Sequence, residues 1–215
     1  MSRLVAAATA TSLALALTAC ARNPVTGKRQ LALVSKEQEI ELGKQSAEQV
    51  KQSIPPYPDA KVQAFLAQVG MKMAKASERP DLPWSFTVLD DPTVNAFALP
   101  GGPVFVTRGI LTYLNSEAEL AAVVGHEIGH ITARHSVEQL SKAQLAQLGL
   151  GVGMIFSEDL RQYGQLAGVG LQLMFLKFGR DAERQSDELG FKYMVQQGYD
   201  PRQMAEVFRT LDRAT

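Results

Sequence analysis

Val123–His135 reads VVGHEIGHITARH, and the reading of the whole chain turns on it. It contains H-E-x-x-H, as His126, Glu127 and His130. An α-helix turns about 100° per residue, so histidines four apart project within roughly 40° of each other on one face. Both imidazoles can then reach one metal ion. Glu127 sits further round the helix, where its carboxylate reaches a water on that ion without being a ligand. A zinc ion acts as a Lewis acid and lowers the pKa of its water to about 7. A neighbouring carboxylate can take the proton as that water attacks a peptide carbonyl. The plain alternative is a buried helix whose histidines bond to neighbours. It leaves a carboxylate beside two stacked imidazoles in an apolar stretch, and burying such a group unpaired is costly.

The flanks support a central helix. Ser116-Glu117-Ala118-Glu119 has the S-x-x-E form of a capping box, and Leu120–Val124 is apolar on nearly every side. A third ligand is needed. His135 lies nine residues after His126, about half a turn away on a continuous helix. The metzincin pattern requires histidine at 136, where Ser136 stands. His135 is therefore read as a helix-end cation or polar neighbour. The chain has three histidines in all, so the third ligand is read as a carboxylate. The best candidate lies in Gly179–Gly190, GRDAERQSDELG, where Glu183 and Asp187 share a helix face. Glu183 could bind the metal while Asp187 accepts the free N–H of a ligating histidine. A solvated charged face is the alternative for such a helix.

HEIGHITARHS (126–136), the downstream E-x-x-x-D and NAFALPGGPVFVTRG (95–109) together resemble the HtpX/BepA/CAAX-prenyl-protease group of zinc metallopeptidases, metallopeptidase family forty-eight. The resemblance covers about residues 23–213. It implies an α+β, mainly helical, zincin-like (gluzincin) domain, with a small antiparallel sheet packed on the H-E-x-x-H helix. It also implies one Zn2+ per chain held by His126, His130 and Glu183, with Glu127 as general base and Asp187 matching the family's aspartate.

Along the chain, 215 residues with 46% hydrophobic content suit one domain. Basic and acidic residues balance at 22 each, and nothing suggests nucleic-acid binding. Residues 1–19 read as a signal peptide. They end in Leu17-Thr18-Ala19-Cys20, which resembles a bacterial lipobox with Cys20 as the lipidated first residue of the mature chain. Acyl chains would anchor it, each buried CH₂ contributing about 0.8 kcal/mol. Ala21 after the cysteine, rather than Asp, points to the periplasmic side of the outer membrane. A lone cysteine makes no internal disulfide.

Residues 20–34 read as lipidated Cys and tether, and 35–215 as the metallopeptidase domain. Ser35-Lys36-Glu37-Gln38 opens a surface helix to about Gln52. Asp59 caps a helix to about Ala76, with Val62, Phe65, Leu66, Val69, Met71 and Met73 expected in the core. Trp84–Leu89, Val94–Ala98 and Val104–Thr107 read as strands, the last two as a hairpin across Pro100-Gly101-Gly102-Pro103. An exposed edge of that hairpin can accept a substrate backbone as an added strand. The resemblance assigns this to Asn95, Ala96 and Phe97. Leu145–Phe156 and Leu166–Leu176 are too short to span a bilayer and are expected as packed helices with a mobile joint. The helix carrying Glu183 is expected from about Leu171 to Gln197, ended by Gly198. Asp200-Pro201 starts a last helix with Val207, Phe208 and Leu211 as its apolar side.

The chain then stops at Thr215, without the His-Pro and Arg segment of relatives, so it reads as C-terminally incomplete or minimal. The oxyanion-stabilising group is not identifiable; Tyr193 and Arg180 are weak candidates. The expected function is a zinc metalloendopeptidase acting on unfolded or misfolded envelope polypeptides, with outer-membrane assembly machinery as a partner. The alternative is a chaperone-like or assembly lipoprotein using the same cleft. A structural zinc protein is a third reading, disfavoured because such sites usually close four protein ligands.

Overall fold

A computed structural model describes residues 20–147, 173–174 and 176–212. In chain order the elements are β1 (Cys20–Arg22), β2 (Arg29–Leu31), α1 (Lys36–Ser53), α2 (Ala60–Ala74), β3 (Ser85–Leu89), β4 (Ala96–Ala98) and β5 (Pro103–Thr107). They continue with α3 (Arg108–Leu111), α4 (Glu117–Thr132), α5 (His135–Gln147), α6 (Arg180–Gln196) and α7 (Arg202–Asp212). The described structure is mainly helical with two small sheets. The expected helices on the apolar runs between 145 and 176 fall almost wholly outside the described residues.

Local chemistry sets the helix starts. Ser35 and Gln38 form a reciprocal capping box on α1, and Asp59 accepts from Lys61 N and Val62 N on α2. Ser116 caps α4 by accepting from Glu119 N. The Glu119 carboxylate bonds Asn115 N instead of Ser116 N, so the capping box is shifted by one residue.

The main sheet has the order β3-β5-β4. The hairpin is present, with β4 antiparallel to β5, and Leu99 N donates to Pro103 O across its turn. Gly101 and Gly102 take φ of 79° and 136° there, a region that favours glycine. However, β3 runs parallel to β5, so the sheet is mixed rather than antiparallel. The reason lies in β5, which is buried along its whole length and is the centre of the sheet. A strand covered on both faces reads as a continuous apolar run. It takes β3 on one side and its own hairpin partner on the other. The outer side of β3 is covered by Tyr57 N bonding Val88 O and Asp90 N bonding Pro55 O. Among the described residues no strand pairs with the outer edge of β4.

One core cluster lies between the sheet and α2, α4, α6 and α7, with Val69, Met73, Val88, Val124, Ile128, Met194 and Val207 fully buried. A second lies on the other face, where Phe97 and Phe105 stack at 5.1 Å between ring centres over Val50 and Leu99. Three expectations change. Phe65 and Met71 are 43% and 39% exposed rather than core, because α2 buries the stripe Leu66, Val69, Gly70, Met73 and Ala74. α1 is not a bare surface helix; it buries Glu39, Gly43, Ser46, Ala47 and Val50, a stripe too small and polar for hydropathy to reveal. Residues 20–31 are an antiparallel hairpin rather than a loose tether, with Asn23 Nδ2 and Gln30 Nε2 both donating to Ala133 O. No helix among the described residues is long and apolar enough to cross a membrane.

Candidate metal centre

α4 and α6 pack on a seam of small residues. A Cβ added at Gly125 would lie 3.2 Å from Gly190 Cα, and one at Gly129 would lie 3.0 Å from Ser186 Cα. With no side chains between them, the backbones approach closely. Its signal in the sequence is a pair of small-residue spacings, Gly125-x-x-x-Gly129 and Ser186-x-x-x-Gly190.

The seam carries Glu183, in the first turn of α6, up to the histidines of α4. His126 Nε2 and His130 Nε2 lie 3.0 Å apart. Glu183 Oε2 lies 3.3 Å from the first and 3.8 Å from the second. Ligand nitrogens and oxygens about 2.1 Å from a tetrahedral zinc ion are separated by roughly 3.4 Å. The donor triangle therefore has the size and chemistry such an ion needs, and among the described residues these three form the one His/Cys/Asp/Glu group placed to hold a metal. Asp187, one turn beyond Glu183, places Oδ1 at 2.8 Å from His126 Nδ1. Phe178 stacks on the His130 ring at 4.2 Å, and Phe208 of α7 meets His126 edge-on at 5.7 Å.

The electrostatics couple His126, His130 and Glu183 to one another. Burial pulls the His126 imidazole down, but bonds from Asp187 and Glu183 outweigh it and lift its pKa to about 10. His130 moves the other way, to about 4, chiefly by burial and despite its bond to Glu183. Glu183 is held well below the usual carboxylate range; burial opposes this, and the bonds from the two imidazoles overcome it. Glu127 is only partly exposed, and its carboxyl is pushed up to about 7, first by burial and further by the Glu183 charge, against the pull of His126.

α4 ends at Thr132, and Arg134 takes a left-handed φ of 61°. That break changes the position expected for His135, which is 5% exposed and opens α5. Its Nδ1 lies 2.9 Å from His130 Nδ1 and its Nε2 lies 2.9 Å from Gln185 Oε1. It is a polar neighbour of the centre, held below the usual histidine range by burial despite the Gln185 bond. Neither weak oxyanion candidate gains support. Tyr193 is fully buried with its hydroxyl bonded to Glu78, and Arg180 is exposed at the start of α6.

Ala96 and Phe97 lie on β4, and Asn95 precedes it, held by its N–H to Thr107 Oγ1 at 3.0 Å. β4 packs on α4, the helix that carries His126 and His130, and β5 pairs with one side of it. Cys20 is the first residue of β1, paired with Leu31.

Comparison with known proteins gives a consistent family. The profile of peptidase family M48 matches residues 60–214. The mitochondrial metalloendopeptidase OMA1 of Schizosaccharomyces pombe is 34% identical over 151 residues, covering 70% of this chain and 44% of that protein. The beta-barrel assembly-enhancing protease of Escherichia coli (strain K12) is 26% identical over 200 residues, covering 89% of this chain and 41% of that protein. That of Yersinia pestis is 26% identical over 196 residues, covering 87% and 40%. The chain spans less than half the length of these relatives.

Proposed function

The chain belongs to peptidase family M48, and on that premise we propose that it is a metalloendopeptidase, hydrolysing peptide bonds with one zinc ion held by His126, His130 and Glu183 in a gluzincin arrangement. The observation that carries this is the convergence of His126 Nε2, His130 Nε2 and Glu183 Oε2 into one donor group, with Glu127 next to His126 on the same helix. A zinc ion there supplies a Lewis acid for the scissile carbonyl and for a water. Glu127 takes the proton from the attacking water and returns it to the departing amine. Asp187 orients the His126 ring by accepting from its Nδ1–H. The open edge of β4, at Asn95, Ala96 and Phe97, receives the substrate backbone as an added strand, which suits a protease with loose side-chain preference.

The substrates proposed are unfolded or misfolded polypeptides of the bacterial envelope. Similarity to beta-barrel assembly-enhancing proteases supports a role in outer-membrane protein quality control, near the assembly machinery. The lipobox-like end at Cys20 supports a lipid anchor on the periplasmic side of the outer membrane. The test is proteolysis of casein by the purified chain, with bound zinc quantified and Glu127→Gln as control. Cleavage by wild type, with a mutant that keeps zinc and does not cut, supports the mechanism. A wild type without zinc overturns the ligand assignment.

A further inference from the structure

We infer that His135 and Gln185 form a neutral hydrogen-bonded relay that fixes the tautomer of His130, making both positioning residues for the metal centre. The inference rests on His130 being a metal ligand. A ligating imidazole uses a bare nitrogen and keeps its proton on the other. In His130 the nitrogen facing His126 and Glu183 is Nε2, so the proton belongs on Nδ1. Nδ1 lies 2.9 Å from His135 Nδ1, which accepts only if it carries no proton. The His135 proton is then on Nε2, which lies 2.9 Å from Gln185 Oε1, a carbonyl acceptor.

Each assignment forces the next. If Gln185 turned its amide N–H toward His135, the chain would reverse. His135 would then donate from Nδ1, and the His130 proton would move to Nε2, where the metal must bind. His135 is 5% exposed, and its Nδ1 side, toward His130, is the buried one. Among the described residues, the Ser186 hydroxyl also approaches that nitrogen, at 3.5 Å.

His126 is backed by a carboxylate at 2.8 Å, whereas His130 is backed by an imidazole and a side-chain amide.

The test is metal affinity, measured by chelator competition with Zn2+ and Co2+ on the purified chain. The variants are His135→Phe, His135→Asn, Gln185→Met and Gln185→Glu. Loss of an outer hydrogen-bond partner of a ligating histidine typically weakens metal binding about 10–100-fold. That loss is expected for His135→Phe and Gln185→Met. His135→Asn, which offers a carbonyl to His130, and Gln185→Glu, which keeps the acceptor, should recover most of it. Long-range proton–nitrogen NMR of the zinc-loaded wild type gives a readout independent of how the variants fold. It should show His135 protonated on Nε2 alone. A proton on His135 Nδ1, or equal affinities across the variants, overturns the relay. A wild type that takes up neither metal overturns the ligand reading and the relay with it, a result distinct from equal affinities.

Discussion

Two polar clusters lie beside the end of α4, and they differ in what they lack. In the metal centre, two ring nitrogens and a carboxylate oxygen of Glu183 converge within 4.8 Å. On the other side Glu39, fully buried in α1, meets Arg79 Nη1 at 2.7 Å and Nη2 at 3.0 Å, and Arg134 Nε at 2.8 Å. The two guanidiniums direct further donors to Ile131 O and Val34 O. This second cluster is closed, because its carboxylate already has its cations within the chain. Among the described residues, the first pairs with no side-chain cation other than its own histidines. Closed buried ion clusters add little net stability over apolar packing, yet removing one member is costly. The contrast separates a group with the geometry to take a cation from one that holds α1 against the helix end.

The largest effect should come from breaking the open cluster. Glu127→Gln should lower peptidase activity by about 10²–10⁴-fold, the usual worth of general acid–base catalysis, with metal content unchanged. Glu183→Gln should lose the metal as well as the activity. A Glu127→Gln protein that cuts at the wild-type rate would remove the carboxylate from the mechanism.

Breaking the closed cluster should act on stability instead. Glu39→Gln leaves two buried guanidiniums without their counter-ion and should cost about 3–5 kcal/mol in urea unfolding. The folded fraction should still bind metal. Loss of metal affinity beyond the loss of folded protein would show that the two clusters are coupled.

The charge difference predicts a pH dependence. With its pKa raised to about 10, His126 in the metal-free chain is a cation at neutral pH. A raised folded pKa means a stabilising contribution that is complete below the unfolded value, about 6.5, and lost as pH rises through about 10. Zinc must displace that proton, whereas His130, at about 4, has already released its own. Apparent zinc affinity should therefore rise about tenfold per pH unit from 7 toward 10, with about one proton released per ion. Isothermal titration in buffers of different ionisation enthalpy counts that proton. A count of zero would show that His126 is neutral before binding.

The smallest effect concerns the N-terminal hairpin. Asn23→Ala removes one bond to Ala133 O and the Oδ1 acceptor for Val25 N and Thr26 N. It should cost about 1–2 kcal/mol in the same urea assay, and leave metal affinity unchanged.

Legibility follows the same division. The two histidines and Glu127 were readable because i, i+4 spacing on one helix is local arithmetic. Glu183 and Asp187 were readable because they share that spacing on a second helix. The Glu39–Arg79–Arg134 cluster was not, since its partners are 40 and 95 residues apart and lie on elements that each look ordinary alone. The parallel pairing of β3 with β5 is not legible, because alternation within a strand reports its faces and not its neighbours. The exposure of Phe65 and Met71 is not legible either, because apolar character alone does not say which stripe of α2 turns inward.

By itself, the sequence determined the elements and their chemistry. Ser35, Asp59 and Ser116 start helices, Pro100-Gly101-Gly102-Pro103 turns a hairpin, and His126, Glu127, His130, Glu183 and Asp187 sit on the faces their spacing dictates. These are properties of a residue relative to its own backbone. Tertiary structure decided the distances between elements: the Gly125/Gly129 seam against Ser186/Gly190, the packing of β4 on α4, and the meeting of His135 with His130 and Gln185. The left-handed turn at Arg134 that permits this meeting is held by Glu39, an ion pair 95 residues distant in the chain. Helical periodicity fixes where a side chain points, and only packing fixes what it meets.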